Sequence, residues 1–420
     1  MAFWKRKRSR VVVLGLDGFA FPLLQQFMAS GVTPNLQALS EDGRLSQMES
    51  VYPTVSNVAW ASFQTGSNPG EFGVFGFAEL DRDLGLRIPN AAQLRTRTLW
   101  QKVSEAGRRL VALGFPLSYP PSEVNGCLVG GFLAPSLEKA VPNRETYDLL
   151  TDMGYLIDID PVKARESIDL LKDELLQALE GRRRALHHFF EKETWDLLCL
   201  HVMETDRINH FMWHALEEDG EDAAFFTSFY QKVDHLVGEA AGLCEAGDVL
   251  IVLSDHGFCR VKKTVELNRW LQAEGLLEFD GDPSPADPFA AVSPGSRALS
   301  LVPGRVHVLT SDFWAEGRVP VSEYEAVRAD LMSRLRGLRC PENDEPVCRS
   351  VFTREDVYHG AHMSRAPDIV VDPAPGYDLK AAVSRGEMFG LDAISGMHTF
   401  EDAFFCIRVT VEEADPKSIT

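Results

Sequence analysis

The sequence predicts an α/β fold built on a mostly parallel central sheet, and three observations carry this. Short apolar runs at 11–16, 195–202 and 249–253 read as strands buried on both faces. Longer helical patterns separate them, as parallel strands require. Asp, His or Ser residues stand just past the apolar runs or open the next helix, where parallel sheets assemble their sites.

Residues 11–16 (VVVLGL) form the first strand, ended by Asp17 and Gly18, and a helical stretch covers 22–30. Residues 47–51 suit a short strand. Past Pro53, residues 56–65 read as a helix, with Ser56 its natural N-cap and Gly66 its natural stop. Strands are expected at 110–114 and 127–129, and a mostly helical block at 149–192. After the strand at 195–202 come a helical pattern at 209–216, an amphipathic helix at 225–244 and the strand at 249–253. Residues 281–294, rich in Pro, Ala, Asp and Ser, read as a surface loop, 322–338 as a helix and 367–371 as a strand. No internal repeat or low-complexity tract is visible.

The 420 residues are 45% hydrophobic and 25% charged, which excludes global disorder and allows a large core. A net charge of −20 argues against a nucleic acid polymer as the main partner. Seven scattered cysteines without a CxxC pair indicate neither a disulfide framework nor a zinc ribbon, and point to a reducing, cytoplasmic setting. The opening MAFWKRKRSR reads as a solvated basic tail, with at most weak attraction to an anionic membrane surface. The apolar run behind it is shorter than the ~7–15 residues of a signal-peptide core. No stretch approaches the ~20 apolar residues of a membrane span, so no transmembrane anchor is expected.

Five segments carry chemistry. In VVVLGLDGF, Asp17 ends a strand; GxGxxG is absent, so this is no dinucleotide fingerprint, and alone Asp17 would cap a turn. In YPTVSNVAWASFQTG, Ser56 meets the free N–H groups and positive dipole of a helix start, which favour an anion or an alkoxide; alone it would be only a cap. HVMETDRINHFMWH sets Asp206 and His210 four apart on one helix face, as a metal chelate or a surface pair. His214 extends that face. IVLSDHGF ends a buried strand with Asp255 and His256, and Gly257 permits a sharp turn; an adjacent Asp-His pair there reads as functional. ISGMHTF supplies His398, by itself an ordinary loop histidine. Together, three carboxylates and three imidazoles suit two divalent ions, each with an open position. A serine between the ions needs no separate general base, which is the two-metal template for in-line displacement at phosphorus.

These segments resemble the alkaline phosphatase superfamily, and most closely its type I phosphodiesterase and nucleotide pyrophosphatase branch. The carrying residues are LGLDG at 14–18, YPTVSNVAWASFQTGSNPG at 52–70, ETDRINHFMW at 204–213, LSDHGF at 253–258 and SGMHTF at 395–400. VKKTVELNRWL at 261–271, YHG at 358–360 and APDIVV at 366–371 resemble prokaryotic members. The resemblance implies an alkaline-phosphatase-like three-layer sandwich, with 1–420 a single catalytic domain and 132–191 and 277–360 inserted cover segments. It implies one metal on Asp17, Asp255 and His256 with Ser56 as the bound nucleophile, and a second on Asp206, His210 and His398. Zinc is the usual ion, and manganese or iron would also fit the mixed donors. The implied reaction is a double displacement through a phosphoserine on Ser56, with Thr54 the rival nucleophile.

The chain departs from the family in places. Phe77 takes the position of an Asn that contacts a phosphate oxygen in nucleotide pyrophosphatases, and Phe72 stands where relatives often carry His. A CxPSR-type or SxPSR-type motif is absent, which excludes a sulfatase, and Asp17 lacks the DxD partner of a haloacid dehalogenase. Asn57, Arg207, Lys262 and Lys263 are candidate substrate contacts. Arg260, Lys262 and Lys263 would reach phosphate oxygens if their loop folds over the ions, and Arg207 would either orient Asp206 or reach substrate. Asn268 reads as a helix N-cap. The expected activity is hydrolysis of a small phosphodiester. The alternatives are a phosphomonoesterase, a phosphonate hydrolase, or a phosphotransferase like the cofactor-independent phosphoglycerate mutases.

Overall fold

A computed structural model describes residues 9–281, 283–284, 287–315, 317–383 and 386–411. The expectation of a solvated basic tail therefore falls outside the described residues except at Ser9 and Arg10. Arg10 is anchored: its Nη2 lies 2.6 Å from Asp248 Oδ2, and its guanidinium lies 4.6 Å from the Trp195 ring centroid.

The described residues form two compact units. One takes the chain up to Ser50, Arg97–Phe258 and the chain from Phe400; the other takes Val51–Thr96 and Cys259–Thr399. In the first, seven strands lie in the order Arg44–Met48, Ala403–Val409, Val249–Leu253, Val11–Leu16, Leu197–Val202, Leu110–Phe115 and Gly126–Gly130. The last five are mutually parallel, and Ala403–Val409 runs antiparallel to both its neighbours. Successive side chains of a strand point to opposite faces. Val12 and Val13 are both buried, so both faces of the central strand are covered. This is the α/β architecture with a mostly parallel sheet that the apolar runs predict.

Register aligns Gly15 with His201 on one side and Leu253 on the other. The chain therefore leaves all three strands at one end of the sheet, and Asp17, Asp206 and Asp255 follow there. Ile168–Lys192 packs on Leu197–Val202, and Glu221–Leu243 on Val249–Leu253. The expected cover segment 132–191 lies in this unit. It holds the helices Leu137–Ala140, Arg144–Asp152 and Pro161–Glu166 besides Ile168–Lys192, whose Leu171, Leu175 and Leu186 join the core.

The second unit contains an antiparallel sheet in the order Ala298–Leu301, Arg305–Val308, Ile369–Pro373, Cys348–Thr353. Its core includes Trp270, Leu271, Val306, Leu331 and Ile369. The segment expected at 277–360 lies within it. The described part of 281–294 holds only turns and isolated bridges, such as Phe279 with Val292.

Several local expectations shift. The strand expected at 47–51 is Arg44–Met48, because its register is set by pairing with Ala403–Val409. The helix at 56–65 is Ser56–Thr65, but Val55 holds the extended N-cap conformation and Ser56 is already the first helical residue. Gly66 closes it with φ +65°. The helix expected at 209–216 is Glu204–Met212, followed by a tighter 3-10 turn at Trp213–Leu216 that takes His214 out of helical register. Asn268 is no N-cap, since Glu266 holds that position. The buried Asn268 amide instead donates to Ser300 O at 3.0 Å and Ala381 O at 2.7 Å and accepts from Ser300 N at 2.7 Å. All seven cysteines are free thiols. Among the described residues no helix is long and apolar enough to cross a membrane.

Candidate active site

Asp17 ends the central strand, and its position is held on several sides. Its N–H donates to Val202 O at 3.0 Å, and its carbonyl accepts from Thr205 Oγ1 at 2.6 Å. Asn209 Nδ2 donates to Gly18 O at 2.8 Å, and Tyr230 OH in turn donates to Asn209 Oδ1 at 2.8 Å. The Asp17 side chain is fully buried, with His201 Nε2 at 2.9 Å from Oδ2. A carboxylate only accepts, so Nε2 carries the proton. Burial pushes the Asp17 carboxyl upward, but the His201 hydrogen bond and the neighbouring imidazoles together outweigh it. The carboxyl sits below its usual range.

Asp255 and His256 leave the adjacent strand Val249–Leu253. Asp255 Oδ1 accepts from Gly18 N at 3.0 Å, while its buried Oδ2 finds no hydrogen-bond partner among the described residues. Burial, and then the charge of Asp17, hold this carboxyl well above the usual carboxylate range. His256 Nδ1 lies 3.2 Å from Gly257 O. A proton on Nδ1 makes Nε2 the acceptor nitrogen of a neutral ring. That nitrogen faces two carboxylate oxygens, Asp17 Oδ1 at 3.4 Å and Asp255 Oδ2 at 3.3 Å.

Asp17, Asp255 and His256 each offer a ligand atom, and the three atoms lie within 4.8 Å of one another. Acceptors packed this closely repel unless a proton or a cation lies among them. The oxygen and imidazole donors, and the orphaned Asp255 Oδ2, fit a divalent ion. Asp206 and His210 follow on the helix Glu204–Met212, with His210 Nε2 at 3.4 Å from Asp206 Oδ1. Phe258 packs against both imidazoles, with its ring centroid 4.8 Å from that of His210 and 5.7 Å from that of His256.

The second unit carries the remaining candidates. Ser56 opens the helix Ser56–Thr65 and is 3% exposed, so its hydroxyl lies in the field of the helix start. The Asn57 amide is buried, and neither its oxygen nor its nitrogen has a hydrogen-bond partner among the described residues. Thr54 Oγ1 donates to Val51 O at 3.2 Å, and Thr54 O lies 3.0 Å from His398 Nδ1. A carbonyl only accepts, so Nδ1 of His398 carries the proton and Nε2 is its acceptor nitrogen. Lys262 Nζ lies 3.2 Å from Glu345, Lys263 Nζ 2.6 Å from Glu342, and Arg260 donates to Ser395 O at 3.2 Å. In the first unit, Arg207 contacts Asp206 and Asp158.

Four residues with supporting roles escaped sequence reasoning: Asp158, His201, Thr205 and Asn209. His201 left a signal, since it is the one polar residue in the strand LLCLHV. Thr205 and Asn209 lie inside the motif that supplied Asp206 and His210. Asp158 left none.

The sequence matches the family described as type I phosphodiesterase / nucleotide pyrophosphatase over residues 11–400. No curated protein matches it. The fold is similar to that of phosphonoacetate hydrolase from Sinorhizobium meliloti 1021 in complex with phosphonoacetate, at TM-score 0.66 and 17% identity, covering 98% of this chain and 92% of that one. It is also similar to inactive murine ectonucleotide pyrophosphatase/phosphodiesterase 5 in complex with AMP, at TM-score 0.56 and 16% identity, covering 96% and 88%. The human form of that protein gives 0.55 and 15%, covering 95% and 88%. The chain belongs to the type I phosphodiesterase/nucleotide pyrophosphatase family, within the alkaline phosphatase superfamily, and is a phosphoric ester hydrolase.

Proposed function

We propose that the protein is a phosphodiesterase that uses two divalent ions, zinc by preference, and Ser56 as nucleophile, acting on a small phosphorylated compound in a reducing, cytoplasmic setting. Asp17, Asp255 and His256 would hold one ion, and Asp206, His210 and His398 the other. The observation that supports this best is the buried group of Asp17, Asp255 and His256, whose facing acceptors call for a cation. When bound, the ions supply Lewis-acid stabilisation of charge at phosphorus and make the serine hydroxyl easier to ionise.

The side chains then divide the work. Ser56 Oγ gives up its proton and attacks phosphorus, the bond to the leaving oxygen breaks as that oxygen takes up a proton, and Ser56 is left esterified to the phosphoryl group. Water attacks that phosphorus, Ser56 Oγ departs, and the phosphoryl product leaves. The first turn of the helix Ser56–Thr65 favours the anionic serine. Asn57, whose amide has no partner among the described residues, would orient a phosphoryl oxygen. Arg207, Lys262 and Lys263 are held by carboxylates. Each would need to share or leave that carboxylate to reach substrate.

The second reading is a phosphonate hydrolase, favoured by the higher TM-score to the Sinorhizobium enzyme. Relative rates on bis-nitrophenyl phosphate, nitrophenyl phosphate and phosphonoacetate separate diesterase, monoesterase and phosphonate hydrolase. Ser56→Ala should lower turnover of the preferred compound by roughly 10³-fold or more while two metal equivalents stay bound. Full activity in that variant would falsify the nucleophile assignment.

A further inference from the structure

The helix Glu204–Met212 is braced from outside by a segment far upstream. Arg207 grips Asp158 in a two-pronged contact, Nε to Oδ1 at 2.9 Å and Nη2 to Oδ2 at 2.6 Å. The same guanidinium sends Nη1 to Asp206 Oδ2 at 3.1 Å. Its planar face lies against Phe132, 4.8 Å from the ring centroid. Arg207 and Asp158 are both mostly buried, and Asp206 almost wholly. The stretch bearing Asp158 is pinned at two further points. Arg182 Nη2 donates to Ile157 O at 2.9 Å, and the Arg182 guanidinium lies 4.4 Å from the Tyr155 ring centroid. Arg182 also lies 3.2 Å from Glu204, at the start of the same helix.

These contacts have a chemical consequence. A free carboxylate can bind a cation through either oxygen or both. In this protein Arg207 occupies Asp206 Oδ2, and Oδ1 is the oxygen 3.4 Å from His210 Nε2. Arg207 in turn is held in this orientation by the two-pronged contact with Asp158 and by the Phe132 ring.

We propose that Asp158 and Arg207 are positioning residues that hold Asp206 as a one-oxygen ligand and so set the affinity of the metal position it shares with His210. This inference rests on the two-metal reading above. The brace touches Asp206 directly, whereas Asp17, Asp255 and His256 are held by a different set of contacts, among them those of His201 and Gly18.

The test is a titration of metal-free protein with Zn²⁺ against a chromophoric chelator, with thermal melting recorded alongside. Wild type should take two equivalents. Asp158→Asn keeps the shape but loses the charge, and Arg207→Lys keeps the charge but loses the fork. Each should weaken one equivalent by about 10–100-fold and leave the other unchanged in a variant that still melts cooperatively. If Asp158→Asn does not fold, Arg207→Lys decides alone. Two unchanged equivalents in a folded variant overturn the inference while leaving the two-metal reading intact. So does parallel weakening of both with a lower midpoint, which marks a merely structural brace. A wild-type protein that takes fewer than two Zn²⁺ overturns the underlying reading, and the inference with it.

Discussion

His201 Nε2 lies 2.9 Å from Asp17 Oδ2, and both side chains are fully buried. The pair joins neighbouring parallel strands, with His201 opposite Gly15 in the register. The imidazole leaves Asp17 Oδ1 to face His256. Replacing it with an apolar group removes a donor from a buried carboxylate, which costs about 1–3 kcal/mol. His201→Leu should therefore lower metal affinity at the Asp17 position by at least tenfold. It should also lower the urea midpoint of the metal-free protein. Calorimetric titration with Zn²⁺ checks the first effect, and an unchanged affinity would remove His201 from the site.

Gly18 cannot carry a side chain. Its φ is +64°, and a Cβ there would lie 2.5 Å from Phe258 Cε2. Phe258 packs on His210 and His256 and stacks on Trp213, with ring centroids 5.7 Å apart at 22° for the latter pair. Displacing that ring therefore moves both imidazoles. Gly18→Ala should destabilise the fold by roughly 1–3 kcal/mol through strain and overpacking. It should also reduce turnover more than it raises KM, because the binding groups stay in place while the reacting geometry loosens. Thermal melts and steady-state kinetics read these separately, and wild-type kcat in a destabilised variant would sever Phe258 from the site.

His307 gives the second unit its own acid sensitivity. Burial, and then the charges of Arg305 and Arg354, push the imidazole down from 6.5 to about 3. The folded protein thus resists a proton that the unfolded chain accepts. The stability this group contributes is whole above pH 6.5, and it is lost as pH falls toward the folded value. The slope approaches about 1.4 kcal/mol per pH unit within that window. His307→Phe keeps a ring beside Trp314 and should flatten this slope. Urea unfolding at several pH values between 7 and 4 measures it; identical slopes in variant and wild type would rule His307 out as the source.

Much of this molecule is written locally. The strand Val249–Leu253 is read from its apolar run, and the helix Ser56–Thr65 from its cap and glycine stop. Asp17 and the Asp255-His256 pair declare themselves by ending apolar runs, and Asp206 with His210 by their spacing. Local signals of this kind survive folding because backbone geometry repeats every two or 3.6 residues. Ser56 moved by one position, from N-cap to first helical residue, because either place satisfies the same sequence pattern.

What tertiary structure alone decided are the contacts that give those residues a single orientation. His201 meets Asp17 across 184 positions of sequence, and Arg207 meets Asp158 across 49. Asn268, which local pattern places at a helix cap, instead ties that helix to the strand Ala298–Leu301 through Ser300. No periodicity encodes such pairings, since they follow from strand register and from which helix packs against which strand. Motifs name the candidate groups for chemistry, whereas packing supplies the buried partners that orient them.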